Sequence, residues 1–262
     1  MKHIDLNTEM IHKGALILVN PAYAITEEPT NTLIPACDAV PDILLDRSAA
    51  VLLNQLMREI HGWRSIVPVS GYRPLREQQK IWDDSLRDSG LEFTRKYVAV
   101  PGHSEHQTGL AIDLGLKQEH VDFICPEFPY TGICQTFREK AADYGFILRY
   151  PAGKEAVTGI GHEPWHFRYV GIPHAQIMKE NGLTLEEYIE FIRQYVYGSN
   201  PYRLQCGSKE IQVSYLPAAE ATDVQISGDH PYTVSGNNID GFILTEWRLR
   251  SRNAETKELR LA

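Results

Sequence analysis

A mixed helix-and-strand domain followed by a β-rich extension is the fold class this 262-residue sequence predicts. Three observations carry it. Helical stripes and short β runs succeed one another as far as about residue 200. After Asn200-Pro201 the texture changes to alternating strand patterns. The composition, 43% hydrophobic and 23% charged, is that of an ordinary globular chain able to bury a sizeable core.

Taken in order, residues 15–19 read as a buried strand. The same run, followed by Ala22-Tyr23-Ala24, has the outline of a signal peptide. Its apolar stretch is too short, however, Asn20-Pro21 interrupts it, and Asp5 and Glu9 stand where basic residues belong. Residues 49–61 carry Leu52, Leu53, Leu56, Met57 and Ile60 at helical spacing, and Ile66 to Val69 is a short β run leading to Gly71. A second helix starts at Pro74, well suited to a first helical turn, and runs to about Arg87 with Gly90 just beyond it. Leu110 to Leu114 is an apolar strand between glycines, residues 136–144 are helical, and Phe146-Ile147-Leu148 is strand-like. From Trp165 to Val170 the pattern alternates, with Trp165, Phe167 and Tyr169 on one face and His166, Arg168 and Val170 on the other. Helix over residues 173–196 closes this first domain, residues 1–200. Residues 201–262 form the β-rich extension, with strands around Val213, Val224 and Phe242 and a turn at Ser235-Gly236-Asn237-Asn238. Its polar last ten or so residues predict a poorly ordered end.

A net charge of -8 and the lack of any basic run argue against nucleic acid as a partner. No apolar stretch approaches the roughly 18 residues of a membrane span. Cys37, Cys125, Cys134 and Cys206 form no C-x-x-C pair, so they suggest neither a cysteine metal site nor a redox motif. Reduced thiols in a cytoplasmic protein are the expectation, and Cys125 and Cys134, which flank a loop, are the one pair near enough to consider for a bridge.

Two segments about 60 residues apart concentrate the chemistry: Ser104-Glu105-His106-Gln107-Thr108-Gly109-Leu110-Ala111-Ile112-Asp113 and Glu163-Pro164-Trp165-His166. His106, Asp113 and His166 offer two imidazoles and a carboxylate, the three-ligand set of a catalytic zinc site that keeps one position open. Asp113 is a charge on an apolar strand, costly to bury unless something neutralises it. Glu163 is a candidate base, and Pro164 keeps it and His166 off a common helix, so this is not an H-E-x-x-H arrangement. Spacing alone does not say whether the bend at Pro164 swings Glu163 over the site. The chain has ten histidines; His103 and His162, each a few residues from a proposed ligand, are decoys, and the remaining six carry no claim.

Ser70-Gly71-Tyr72-Arg73, then Gln78, then Ser104-x-His106-x-x-Gly109-x-Ala111-x-Asp113, then Glu163-x-x-His166 resemble, in the right order, the zinc D,D-peptidases of the VanX/VanY type. The resemblance spans roughly residues 60 to 195 and is closest in character to the VanXY branch, which combines D,D-dipeptidase and D,D-carboxypeptidase activity. More distantly, cell-wall endopeptidases and the Hedgehog signalling domain share the fold. The resemblance implies an α+β fold, with helices packed on a small, mainly antiparallel sheet. It implies Zn2+ held by His106, Asp113 and His166, Glu163 as general base, and Arg73 stabilising the oxyanion. Ser104, with Gln78, is placed to bind the substrate's C-terminal carboxylate, while Ser70, Tyr97 and Trp165 are further candidates for the substrate site. The implied substrates are D-Ala-D-Ala and peptidoglycan pentapeptide precursors, and the implied consequence is vancomycin resistance. Arg168 reads as a salt-bridge partner, and residues 115–135 as a pocket rim.

Two other readings stay open on the residues. One is an endopeptidase of the same fold that cuts L-Ala-D-Glu or a crossbridge. The other is a zinc-containing binding module without turnover, against which Glu163 and Arg73 count, since a structural metal needs neither.

Overall fold

The computed structural model describes residues 2–27, 32–220, 224–226, 230–249 and 257–258. Its strands are β1 (Lys2–Ile4), β2 (Leu33–Cys37), β3 (Val40–Asp46), β4 (Ile66–Ser70), β5 (Ala111–Leu116), β6 (Phe146–Tyr150), β7 (Glu163–Tyr169), β8 (Tyr202–Cys206), β9 (Lys209–Pro217), β10 (Val224–Ile226), β11 (Tyr232–Gly236), β12 (Gly241–Leu249) and β13 (Lys257–Glu258). The helices are α1 (Arg47–Glu59), α2 (Leu75–Tyr97), α3 (Gly132–Lys140), α4 (Glu155–Thr158), α5 (His174–Asn181) and α6 (Leu185–Ile192). Contacts divide the chain into two compact units, residues 19–184 and residues 1–18 with 185–262.

In the 19–184 unit a four-stranded antiparallel sheet runs in the order β4-β5-β7-β6. This bears out the α+β expectation. The hairpin β2–β3 delivers the chain into α1, whose first N–H groups are capped by the Asp46 side chain. The predicted stripe is buried at Leu53, Leu56 and Met57, joined by Ala49 and Ala50. Phe128, Phe137 and Phe167 pack edge to face, with centroids 4.8 to 5.8 Å apart, and anchor α3 to the sheet. Helix α2 breaks where its sequence predicts a stop: Gly90 has φ 80° and ψ 170°, and a second helical piece then runs to Tyr97. The helix expected over 173–196 is likewise two, α5 and α6, with Gly182 ending the first in a left-handed conformation. The β2–β3 hairpin has no counterpart in the sequence reading, because Pro35 and Pro41 disguise it.

The other unit holds a five-stranded sheet, β11-β12-β9-β8-β13, and the pair β1–β10. Its apolar core is formed by Leu6, Leu216, Val224, Ile226, Phe242 and Leu244. The β-rich C-terminal texture is therefore real, and contacts group residues 1–18 and 185–200 with it. The reason is pairing: β1 lies antiparallel to β10, and Gly236 and Asn238 donate backbone hydrogen bonds to Lys13 and Ile11. Within the run at 15–19, residues 16–19 are buried as expected, but the run is not a ladder strand. The Leu16 N–H donates to Ser235 Oγ, the Leu18 N–H donates to the Asn237 carbonyl, and Asn238 Nδ2 donates back to the Leu18 carbonyl. These bonds satisfy residues 16 and 18 one at a time. Apart from β13, the polar end expected to be poorly ordered lies outside the described residues.

Candidate active site

Sheet register brings two of the predicted ligands together. Asp113 on β5 pairs with His166 on β7, and Asp113 Oδ1 lies 2.9 Å from His166 Nδ1. On its other side Asp113 pairs with Ser70 of β4. His106 arrives from a one-turn 3-10 helix, Glu105–Thr108, which Gly109 terminates at φ 71°. Few residues other than glycine accept that conformation. His106 Nδ1 lies 2.7 Å from the carbonyl of Gly71. A carbonyl only accepts, so Nδ1 carries the proton, and Nε2, 3.1 Å from Asp113 Oδ2, keeps its lone pair. Gly71 is tightly required: a Cβ there would lie 2.3 Å from the Leu44 carbonyl oxygen.

Strict alternation along β7 would send Glu163 and His166 to opposite faces. The register prevents it. Phe167 pairs with Leu148 and Glu163 with Tyr150, so four steps of β7 run against two of β6. The irregularity contains Pro164 and returns Glu163 to the His166 side, with Glu163 Oε2 3.6 Å from His166 Nδ1.

All four groups are buried. Burial pushes the Glu163 carboxyl up to about 8, with Asp113 adding to the rise and His166 and Arg73 opposing it. For Asp113 burial also works upward, but the two histidines overcome it and hold the carboxyl well below the usual range. His106 is pushed down to about 4 by burial and by the Arg73 charge.

The donor set fits a metal ion. Ligand atoms of His106, Asp113 and His166 lie within 4.8 Å of one another. Asp113 Oδ1, although 2.9 Å from His166 Nδ1, is not aligned for a hydrogen bond and has no such partner among the described residues. Two nitrogens and a carboxylate oxygen around a common point, one nitrogen freed by a backbone carbonyl, suit a tetrahedral cation with an open fourth position.

Arg73, Gln78, Tyr97, Ser104 and Trp165 line the same pocket as these groups; Ser70, buried in β4, does not. Arg73 is tied to the ligand turn by its N–H, which donates to the His106 carbonyl at 3.1 Å, and its Nη2 lies 4.0 Å from Asp113 Oδ2. Gln78 Nε2 donates to the Ala99 carbonyl at 2.8 Å, which fixes the amide orientation and leaves Oε1 without a hydrogen-bond partner among the described residues. Phe123 and Ile124 supply the expected rim from the 115–135 segment. The decoys are structural: His103 Nδ1 bonds the Asn20 carbonyl, and His162 bonds the Tyr150 carbonyl and the Tyr130 hydroxyl. All four cysteines are free thiols.

Sequence reasoning passed over Tyr150, whose ring lies 4.8 Å from that of His166, and Glu105. An acidic residue opening a short helix reads as solvent-facing, yet Glu105 is buried against Arg149 and Arg168. Burial alone would raise its carboxyl; the two guanidiniums overcome that and hold it well below the ordinary range.

A family model, VanY, described as D-alanyl-D-alanine carboxypeptidase, matches residues 42–172, half the chain and the whole of this site. The chain belongs to the VanY family. Among its relatives, the bifunctional D-Ala-D-Ala dipeptidase and D-Ala-D-Ala carboxypeptidase VanXYC of Enterococcus gallinarum is 46% identical over 171 residues, 65% of this chain and 89% of that protein. The crystal structure of the vancomycin resistance D,D-dipeptidase VanXYg, in complex with a D-Ala-D-Ala phosphinate analog, superposes with a TM-score of 0.91 at 52% identity. That likeness covers 94% of this chain and 99% of the other, so it includes the β-rich C-terminal region. A mutant of the VanY D,D-pentapeptidase from a VanB-type resistance cassette, in complex with Zn(II), is 33% identical with a TM-score of 0.56, covering 67% of this chain and 98% of that one.

Proposed function

We propose that this VanY-family protein is a zinc-dependent D,D-peptidase. It hydrolyses the dipeptide D-Ala-D-Ala and removes the terminal D-Ala from peptidoglycan pentapeptide precursors, which gives resistance to vancomycin. The observation that carries the proposal is the buried trio His106, Asp113 and His166 with the Glu163 carboxylate 3.6 Å from His166 and Arg73 on the same pocket. The similarity to proteins named for both activities, and to one bound to a D-Ala-D-Ala analog, supports the substrate class.

Zn2+ is the metal of choice for two imidazoles and one carboxylate; when bound it supplies charge that acidifies a water and polarises a carbonyl. Glu163 takes a proton from the attacking water, whose oxygen adds to the carbonyl carbon between the two D-alanines. A carboxyl raised by burial is suited to this, because it also releases the proton readily to the leaving amine nitrogen as the C–N bond breaks. Arg73, on the wall of the same pocket, neutralises the developing oxyanion, and its backbone N–H to the His106 carbonyl holds its main chain against the His106 turn. Ser104 and the remaining Nε2 hydrogen of Gln78 bind the substrate carboxylate. Gln78 Oε1 receives a donor from substrate or from Arg73, whose Nε also lacks a hydrogen-bond partner among the described residues. Tyr97 and Trp165 wall the pocket. The dipeptide and the precursors it enters are built in the cytoplasm, which is where we place the enzyme.

Mass spectrometry of the products tests the proposal. From a muramyl pentapeptide ending in D-Ala-D-Ala, the expected change is loss of one D-alanine, and the free dipeptide should yield D-alanine. Cleavage at L-Ala-D-Glu, with the terminus intact, would establish the endopeptidase reading instead.

A further inference from the structure

Behind His166 lies a buried charge cluster that the proposed chemistry does not use. The side chains of Glu105, Arg149 and Arg168 are 0–1% exposed. Arg149 Nε donates to Glu105 Oε1 at 2.8 Å, and Arg168 Nη1 donates to the same oxygen at 2.7 Å. Two cations thus converge on one oxygen. The other, Oε2, is buried 3.5 Å from His166 Nε2, and neither atom has a hydrogen-bond partner among the described residues. Across the ring, His166 Nδ1 faces Asp113 Oδ1 at 2.9 Å.

Local geometry explains the convergence. Arg168 is two residues beyond His166 on β7, on the same face, and pairs with Ile147 of β6, the strand that carries Arg149. Glu105 directly precedes the ligand His106 in the one-turn helix. An arginine serving only to neutralise a buried carboxylate would grip both oxygens in a fork. Here both guanidiniums are on Oε1, and Oε2 is left for the imidazole.

We propose that Glu105 is a positioning residue of the metal site: clamped by Arg149 and Arg168, it accepts the Nε2–H of His166 and so commits Nδ1 of that histidine to the metal. Asp113 Oδ1 and His166 Nδ1 approach one another as two ligands of one ion, whereas Glu105 is outside the ligand trio. An ionised carboxylate only accepts, so an imidazole with Nδ1 on the metal presents its N–H to Glu105. One short helix thereby supplies one ligand, His106, and orients another, His166. The inference rests on the metal-site reading given above and concerns which atom binds and how tightly.

Long-range proton–nitrogen correlation spectra of ¹⁵N-histidine-labelled protein read this directly. In zinc-free protein His166 is expected to carry its proton on Nε2, and in zinc-loaded protein to bind through Nδ1. An Nε2 that carries no proton in zinc-free protein, or coordination through Nε2 in zinc-loaded protein, overturns the proposal. Glu105→Ala should weaken zinc binding, measured by chelator competition, by about 10- to 100-fold; a folded variant with the wild-type affinity also overturns it. Should that variant not fold, the wild-type spectra decide alone. A wild-type protein that takes up no zinc refutes the metal-site reading, and the presence or absence of the Nε2 proton of His166 in zinc-free protein still judges Glu105.

Discussion

Asp113 and His166 are register partners across β5 and β7, and the pairing sets their ligand atoms 2.9 Å apart. Two of the three proposed ligands are therefore fixed by backbone hydrogen bonding in the middle of a sheet, and only His106 depends on a short turn. The sheet should persist when a ligand is changed. Asp113→Asn, which keeps the shape and removes the charge, is expected to lose stoichiometric zinc by elemental analysis while its circular dichroism matches the wild type. A full equivalent of zinc in that variant would show that Asp113 is not a ligand.

Glu163 reaches the His166 side only through the irregularity at Pro164, and it stands outside the proposed ligand trio. Glu163→Gln should therefore bind zinc as the wild type does and fold normally, while kcat for D-Ala-D-Ala falls by about 10²- to 10⁴-fold. Retained turnover would assign the base elsewhere.

Gly71 links the fold to the site, since its carbonyl holds His106 and no Cβ fits beneath Leu44. Gly71→Ala forces one of the two segments to move. We expect it to cost about 1–3 kcal/mol in denaturant unfolding and to weaken zinc binding at the same time. Loss of stability with unaltered zinc affinity would separate the two effects and refute the link.

His174, on α5, is buried, and burial pushes its imidazole down to about 3. Between that value and the ordinary value of 6.5 the unfolded chain binds a proton that the folded chain does not. Stability attributable to this group is therefore full above pH 6.5 and declines as pH falls toward 3, by up to about 1.4 kcal/mol per pH unit. Unfolding free energies of the wild type and His174→Phe, compared from pH 7 to 4.5, should show the wild type losing more. Parallel profiles would mean that the imidazole does not resist protonation in the fold.

The candidate ligand trio and the candidate base stood out because local chemistry marks them: a turn that needs Gly109, a charge on an apolar strand, and a proline beside a carboxylate. Most helices and central strands were legible from apolar spacing. What stayed hidden depends on distant partners. Glu105 meets Arg149 and Arg168 at separations of 44 and 63 residues, and nothing near Glu105 marks it as buried. The grouping of residues 1–18 with the C-terminal unit follows from pairings such as Lys2 with Ile226, which no local pattern encodes. The β2–β3 hairpin was masked by its own prolines. The position of Glu163 relative to His166 turned on a register irregularity that alternation alone would have placed wrongly.

The most direct measurement is D-alanine release from D-Ala-D-Ala by chelated protein titrated with zinc. The account predicts no release from metal-free protein and full activity on addition of one zinc per chain. Undiminished release without metal, or one zinc bound with no release, would contradict it.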